Sequence, residues 1–131
     1  MLAIARRVWS GWRAAATAFD PRVQLLGEDL LCTHLDRLEC AANEGYANAV
    51  LVRASQMGTL SEALPVSDRA RQRGMRAVVS VRSGETENDW LADLAIASGV
   101  GQIRVGSVAR SKRLTKYNRL LSIERATGAP P

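Results

Sequence analysis

Residues 77–106 read AVVSVRSGETENDWLADLAIASGVGQIRVG, and the fold of the chain is decided there. Ala77-Val78-Val79-Ser80-Val81 is a short apolar, β-branched run, the composition of a strand buried on both faces. It stops at the polar segment Arg82-Ser83-Gly84-Glu85-Thr86-Glu87. From Asp89 a helical period sets Trp90, Leu91, Leu94 and Ala95 on one side, and Gly99 stands at the position that ends such a helix. Gln102-Ile103-Arg104-Val105-Gly106 follows as a second strand. Strand, polar loop, helix and strand form a βαβ unit, whose right-handed crossover makes the two strands parallel. Ligands of such units sit at the carboxyl ends of the strands. Arg82, Ser83 and Arg104 occupy those ends and are the first candidates for chemistry.

The chain of 131 residues is long enough for one domain with a real core and too short for two. Its 47% hydrophobic content and the lack of low-complexity segments argue against disorder. No apolar run approaches the roughly 20 residues of a membrane span, so no membrane is expected. Cys32 and Cys40 lack both CxxC and zinc spacing, which points to a reducing compartment and a cytoplasmic location. His34 is the only histidine, so no histidine-based metal site or triad can be built within the chain. The net charge of +5 is carried almost entirely by arginine. Arg69, Arg71, Arg73 and Arg76 alternate along one helix end rather than forming a stripe, the pattern of a solvated face. Nucleic acid is therefore an unexpected partner, and a basic, non-enzymatic binding module ranks last among the functions considered.

Outward from the central stretch, the pattern repeats. Residues 1–19 carry three arginines, two tryptophans and no acid. By themselves they fit a transit peptide or an amphipathic anchor as well as an ordinary helix. As a helix they place Val8, Trp12 and Ala15 or Ala16 inward. Val23-Gln24-Leu25-Leu26-Gly27 reads as a first strand running into Glu28-Asp29. Leu35 to Glu44 is helical, with Leu35, Leu38, Ala41 and Ala42 at core spacing and Gly45 closing it. Ala49-Val50-Leu51-Val52 is a second strand ending at Arg53. Thr59 with Glu62 forms a capping box for a helix that carries Leu60, Leu64 and Val66, is kinked or shifted at Pro65, and closes at Gly74. Ser111 is expected to cap a last helix bearing Leu114, Tyr117 and Leu121. The expected domain spans 1–131: a leading helix at 9–19, four βα units over 22–126, and a frayed tail at 127–131. The strand-end residues Glu28, Arg53, Arg82 and Arg104 recur near the roughly 30 residues per unit of an eight-fold barrel. The fold class is α/β, the C-terminal half of a (β/α)8 TIM-type barrel.

Several segments resemble those of the enolases (phosphopyruvate hydratases). Val23-Gln24-Leu25-Leu26-Gly27-Glu28-Asp29-Leu30 is similar to the family's QLVGDDL, and Gln56-Met57-Gly58-Thr59-Leu60-Ser61-Glu62-Ala63 to NQIGTLTEA. Ser80-Val81-Arg82-Ser83-Gly84-Glu85-Thr86-Glu87 is close to SHRSGETE, and Gly101-Gln102-Ile103-Arg104-Val105-Gly106 to GQIKTG. Lys116-Tyr117-Asn118-Arg119-Leu120-Leu121-Ser122-Ile123-Glu124 resembles KYNQLLRIE. Trp9-Ser10-Gly11-Trp12 resembles WDGW at a helix start, which favours the helix over a transit peptide. The matches keep order and spacing. The family's N-terminal cap domain and the first half of its barrel have no counterpart among these residues.

The resemblance implies a magnesium-dependent lyase of 2-phosphoglycerate and phosphoenolpyruvate, in which a lysine removes a carbon-bound proton beside metal ions. Several of its positions have changed here. The lysine base corresponds to Arg53, and a guanidinium cannot accept the proton. Of three metal-binding carboxylates, the second falls on Met1 and the third on Glu28, so magnesium binding is expected to be weak or absent. Val81 replaces a substrate-binding histidine. Arg82 and Ser83 match the residues that grip the phosphate, and Arg104 replaces a substrate-binding lysine. Two readings of Arg53, Arg82 and Arg104 stay open: an anion grip, or ion pairs with Glu28, Asp29 and Glu85. General-base catalysis is worth roughly 10²–10⁴-fold, so the chain alone is expected to be inactive while keeping a rim for a phosphorylated carboxylate. An alternative is part of a divergent enzyme of phosphonate metabolism, like carboxyphosphonoenolpyruvate synthase, whose chemistry tolerates arginine at position 53. Open strand edges at Val23–Leu26 and Ile103–Val105 predict self-association or a partner chain completing the barrel.

Overall fold

The computed structural model describes residues 2–82 and 86–128, with side chains from Trp9 onward. It separates into two compact units, Met1–Ala77 and Val78–Pro131, with the boundary inside a strand. Four strands follow one another in the sheet in chain order.

The first unit opens with α1 (Leu2–Ala18), which starts well before the tryptophan motif expected to begin it. Trp9 packs against Tyr46 with ring centroids 4.8 Å apart. Arg13 lies over the same ring and pairs with Glu44, so α1 is docked through an aromatic and a cation. Strand β1 is only Leu26–Gly27, shorter than the run of apolar residues predicted. The cause is Asn48. Its side-chain oxygen accepts from the Leu25 N–H at 2.7 Å and its amide donates to the Val23 carbonyl at 2.8 Å. Those backbone groups are satisfied by a side chain instead of a ladder, and Val23 is exposed.

Helix α2 (Leu35–Glu44) has the predicted limits. Gly45 closes it at φ 69°, a left-handed conformation that a side chain would strain. Leu38 and Ala41 are buried, whereas Leu35 is exposed. Strand β2 (Ala49–Val52) is buried at every residue and pairs in parallel with β1 through Leu26↔Ala49 and Gly27↔Val50. A single turn, α3 (Ala54–Met57), leads to α4 (Leu60–Gln72). The Thr59 hydroxyl accepts from the Glu62 N–H, as the capping box requires. The helix runs on through Pro65. Its inner face is Ala63, Val66, Ser67 and Ala70, so of the apolar residues expected on this helix Val66 is buried while Leu60 and Leu64 are exposed. Small side chains on that face let α4 pack closely on β2. Arg69, Arg71 and Arg73 at the basic end of α4, and Arg76 just beyond it, are exposed, as expected of a solvated face. There Arg69 and Arg73 both bind Glu39 on α2, while Arg73 also donates to Asn43.

Strand β3 (Arg76–Ser80) enters the second unit at Val78 and pairs there in parallel with β4 (Ile103–Arg104) through Val79↔Ile103 and Ser80↔Arg104. Between them lies α5 (Trp90–Ala97). Val79, Leu91, Ala95 and Val105 form the core, with Trp90, Leu94, Ile103 and Tyr117 packed on it. Helix α6 (Ser111–Thr127) has Arg110, not Ser111, at its cap position. Ser111 instead donates to the Glu87 carboxylate at 2.6 Å. The face of α6 also differs from expectation, because Leu114 and Leu121 are exposed and Lys116 is buried. Arg119 clasps Asp93 through two nitrogens at 2.7 and 3.0 Å, joining α6 to α5. The tail beyond Gly128 lies outside the described residues.

The hydrogen bond from Arg69, then that from Arg73, holds the Glu39 carboxyl below its ordinary value. Arg119 does the same to Asp93. A carboxylate whose folded value is depressed adds stability above its unfolded value, near 4. That stability drains as pH falls through the lower folded value. Glu39→Gln should therefore lower the melting temperature at neutral pH and flatten its decline in acid. Thermal unfolding followed by circular dichroism across the acid range checks this, and an unchanged acid slope would contradict it.

Candidate functional site

Arg53 is the first residue beyond β2, set in extended geometry (φ −122°, ψ 113°) as the cap of α3. Its backbone N–H donates to the Thr33 hydroxyl at 3.1 Å. Its side chain is 7% exposed, and Nη2 donates to the Glu28 carboxylate. Nη1 lies 3.6 Å from Asp29 Oδ1, while Nε and Nη1 make no hydrogen bond of their own. Of the two readings open for Arg53, the geometry is that of the ion pair. Removing one partner of a buried pair leaves a charge out of water without compensation, a change worth several kcal/mol. The guanidinium is thus committed to the carboxylates at the end of β1.

The turn that delivers those carboxylates is strained. Cys32 and Thr33 both have positive φ, 48° and 60°, and a β-branched residue there is a true outlier. Thr33 is fully buried, and its hydroxyl donates to Gln56 Oε1 at 2.8 Å while accepting from Arg53. The Cys32 thiol donates to the Asp29 carbonyl at 2.8 Å. Sequence reasoning missed Thr33 entirely, because neither Cys nor Thr advertises a left-handed turn as Gly or Asn would. Glu28 and Asp29 face an open cleft of about 920 Å³ shared with Trp9, Trp12 and Asp36.

In the second unit, Arg104 ends β4 directly beside Ser80, and Arg82 stands two residues beyond Ser80. Both arginines are exposed at the carboxyl ends of neighbouring parallel strands. Ser80 ties the strands further, its hydroxyl donating to the Arg104 carbonyl at 2.9 Å. Ser83 and Glu85 lie outside the described residues, as does Met1.

Helix α6 holds the segments that carry the two arginines. Lys116 is 1% exposed, and its ammonium donates to the Thr86 carbonyl at 2.7 Å and to the Lys112 carbonyl at 2.9 Å. Tyr117 donates to the Gly106 carbonyl at 2.8 Å. Gly106, at φ 86°, lies against the Arg113 guanidinium, so a side chain there would meet both strain and a contact of about 3.1 Å. Asn88 Oδ1 accepts from the Trp90 N–H at 3.0 Å, one residue ahead of Asp89, the cap position of α5. Lys116 read as one more residue of a motif in the sequence, since a lysine is ordinarily on the surface.

Among the described residues no three of His, Cys, Asp and Glu stand together in a way that could hold a metal ion. Glu28, the one carboxylate matched to a metal ligand within them, is taken by Arg53.

Lys116→Met removes both hydrogen bonds of a buried ammonium but keeps the volume. It should cost about 1–3 kcal/mol of stability and speed hydrogen exchange at Asn88 and Trp90. Protection there equal to that of the native chain would refute the tether.

The geometry agrees with what a comparison of the chain with protein families finds. The model of the C-terminal TIM barrel domain of enolase matches residues 3–130, nearly the whole chain. Parallel strands in chain order, helices between them and polar residues gathered at the strand ends are what that domain requires, and the chain belongs to the enolase family through its C-terminal barrel domain.

Proposed function

We propose that this domain holds a phosphorylated carboxylate through Arg82 and Arg104 and has given up proton abstraction at position 53. One observation supports the first half: by the register Ser80↔Arg104, Arg104 and, two residues past Ser80, Arg82 belong to the carboxyl ends of adjacent parallel strands. Strands about 4.8 Å apart keep two such forks within reach of one dianion, and guanidinium suits phosphate and carboxylate alike. The second half is supported by Arg53, a permanent cation buried against Glu28. A general nucleic-acid surface is disfavoured, since Arg13, Arg22, Arg53, Arg69, Arg71, Arg73 and Arg119 are each paired with a carboxylate. No described helix is long and apolar enough to cross a membrane.

A (β/α)8 ring has eight strands, and β1–β4 supply four. The proposal therefore includes four further strands, from a second copy, another chain or more of the same polypeptide.

Calorimetric titration with inorganic phosphate and with phosphoenolpyruvate at low salt tests the grip. Arg82→Gln and Arg104→Gln should each weaken binding by about tenfold, the equivalent of one charge-assisted hydrogen bond. Affinity indifferent to both substitutions would remove the proposed grip. Turnover of 2-phosphoglycerate by the native chain would remove the claim about position 53.

A further inference from the structure

We infer that the Arg53 guanidinium is the resident cation of the Glu28 and Asp29 carboxylates, built into the chain in place of the divalent ion the family uses. The inference rests on the family assignment but not on the phosphate grip, whose test reads anion affinity while this one reads cation affinity. Three features support it. The guanidinium meets both carboxylates at once, donating to Glu28 and lying 3.6 Å from Asp29. It cannot swing away, because its backbone is pinned by Thr33 and its side chain is buried among the residues at the end of β2. Finally, magnesium needs carboxylate lone pairs at about 2.0–2.1 Å, and on Glu28 the hydrogen bond from Arg53 already occupies one of them at Oε1. A second cation there would also sit against a fixed positive charge, which repels it.

Removing that charge without removing volume unmasks a carboxylate pair. Glu28 and Asp29 both line the open cleft, so an ion from solvent can reach them. The native chain is accordingly indifferent to divalent cations, and a variant lacking the guanidinium is responsive to them.

Thermal unfolding of the full chain and of Arg53→Met, with and without magnesium chloride at matched ionic strength, tests this. The native melting temperature should not move. Arg53→Met should start lower and gain several degrees with magnesium, and adding Glu28→Gln should abolish the gain. If Arg53→Met is unfolded at rest, its refolding yield takes over: recovery in magnesium supports the inference, and persistent unfolding overturns it. Manganous ion, followed by its paramagnetic resonance, gives a reading on the native chain alone. Capture of manganese by the native chain, a native melting temperature raised by magnesium, or a folded Arg53→Met blind to magnesium would each overturn the inference.

Discussion

A guanidinium held out of water at the carboxyl end of β2 sets the terms for the first unit. Burying a charge is costly unless it is paired and hydrogen-bonded, so the connection from β1 to α2 must bring carboxylates to Arg53. It does so by turning sharply after Glu28 and Asp29 and putting Cys32 and Thr33 into left-handed conformations. The strain of two such residues is offset by the Thr33 hydroxyl, which bonds both the Arg53 backbone and Gln56. Charge, turn and hydroxyl form one arrangement, and each member makes sense only with the others present.

The second unit meets a similar demand differently. Its buried cation is the Lys116 ammonium, whose partners are the backbone carbonyls of Thr86 and Lys112. Carbonyl oxygens accept from two of its three donors. The ammonium, the Ser111 hydroxyl and the Tyr117 phenol reach the segments after β3 and β4 from a single helix. These bonds tie α6 to Thr86, Glu87 and Gly106, in the segments that follow β3 and β4.

For an enolase-family domain these arrangements carry a clear chemical meaning. Proton abstraction from carbon needs a group that can be neutral, and position 53 holds one that cannot. The same guanidinium is ion-paired with Glu28, so under the proposed reading one side chain bears on both positions. Anion recognition depends on neither role. It requires only cations fixed at strand ends, and arginine serves that purpose at least as well as lysine.

Local pattern was enough to reveal much of this. The limits of α2 and β2, the capping box at Thr59, the closing glycines and the repeated strand–helix alternation all follow from the chain's immediate neighbours, because helix and strand periods are properties of a few consecutive residues. The strand-end positions of Arg53, Arg82 and Arg104 were legible for the same reason. Choices that depend on distant residues were not. Leu60, Leu64, Leu114 and Leu121 are apolar yet exposed, while Ala63, Ser67 and Lys116 are inside, because packing partners decide which face of a helix is turned inward. Strand β1 was shortened by an asparagine more than 20 residues away. The pairing of Arg53 with Glu28, the strained Thr33 and the buried Lys116 each join segments roughly 20 to 30 residues apart. By itself the sequence determined the elements, their order and the family, because those are written in local spacing and motif. Only the tertiary structure decided which charges are neutralised and which face solvent, because that depends on distances between residues far apart in the chain.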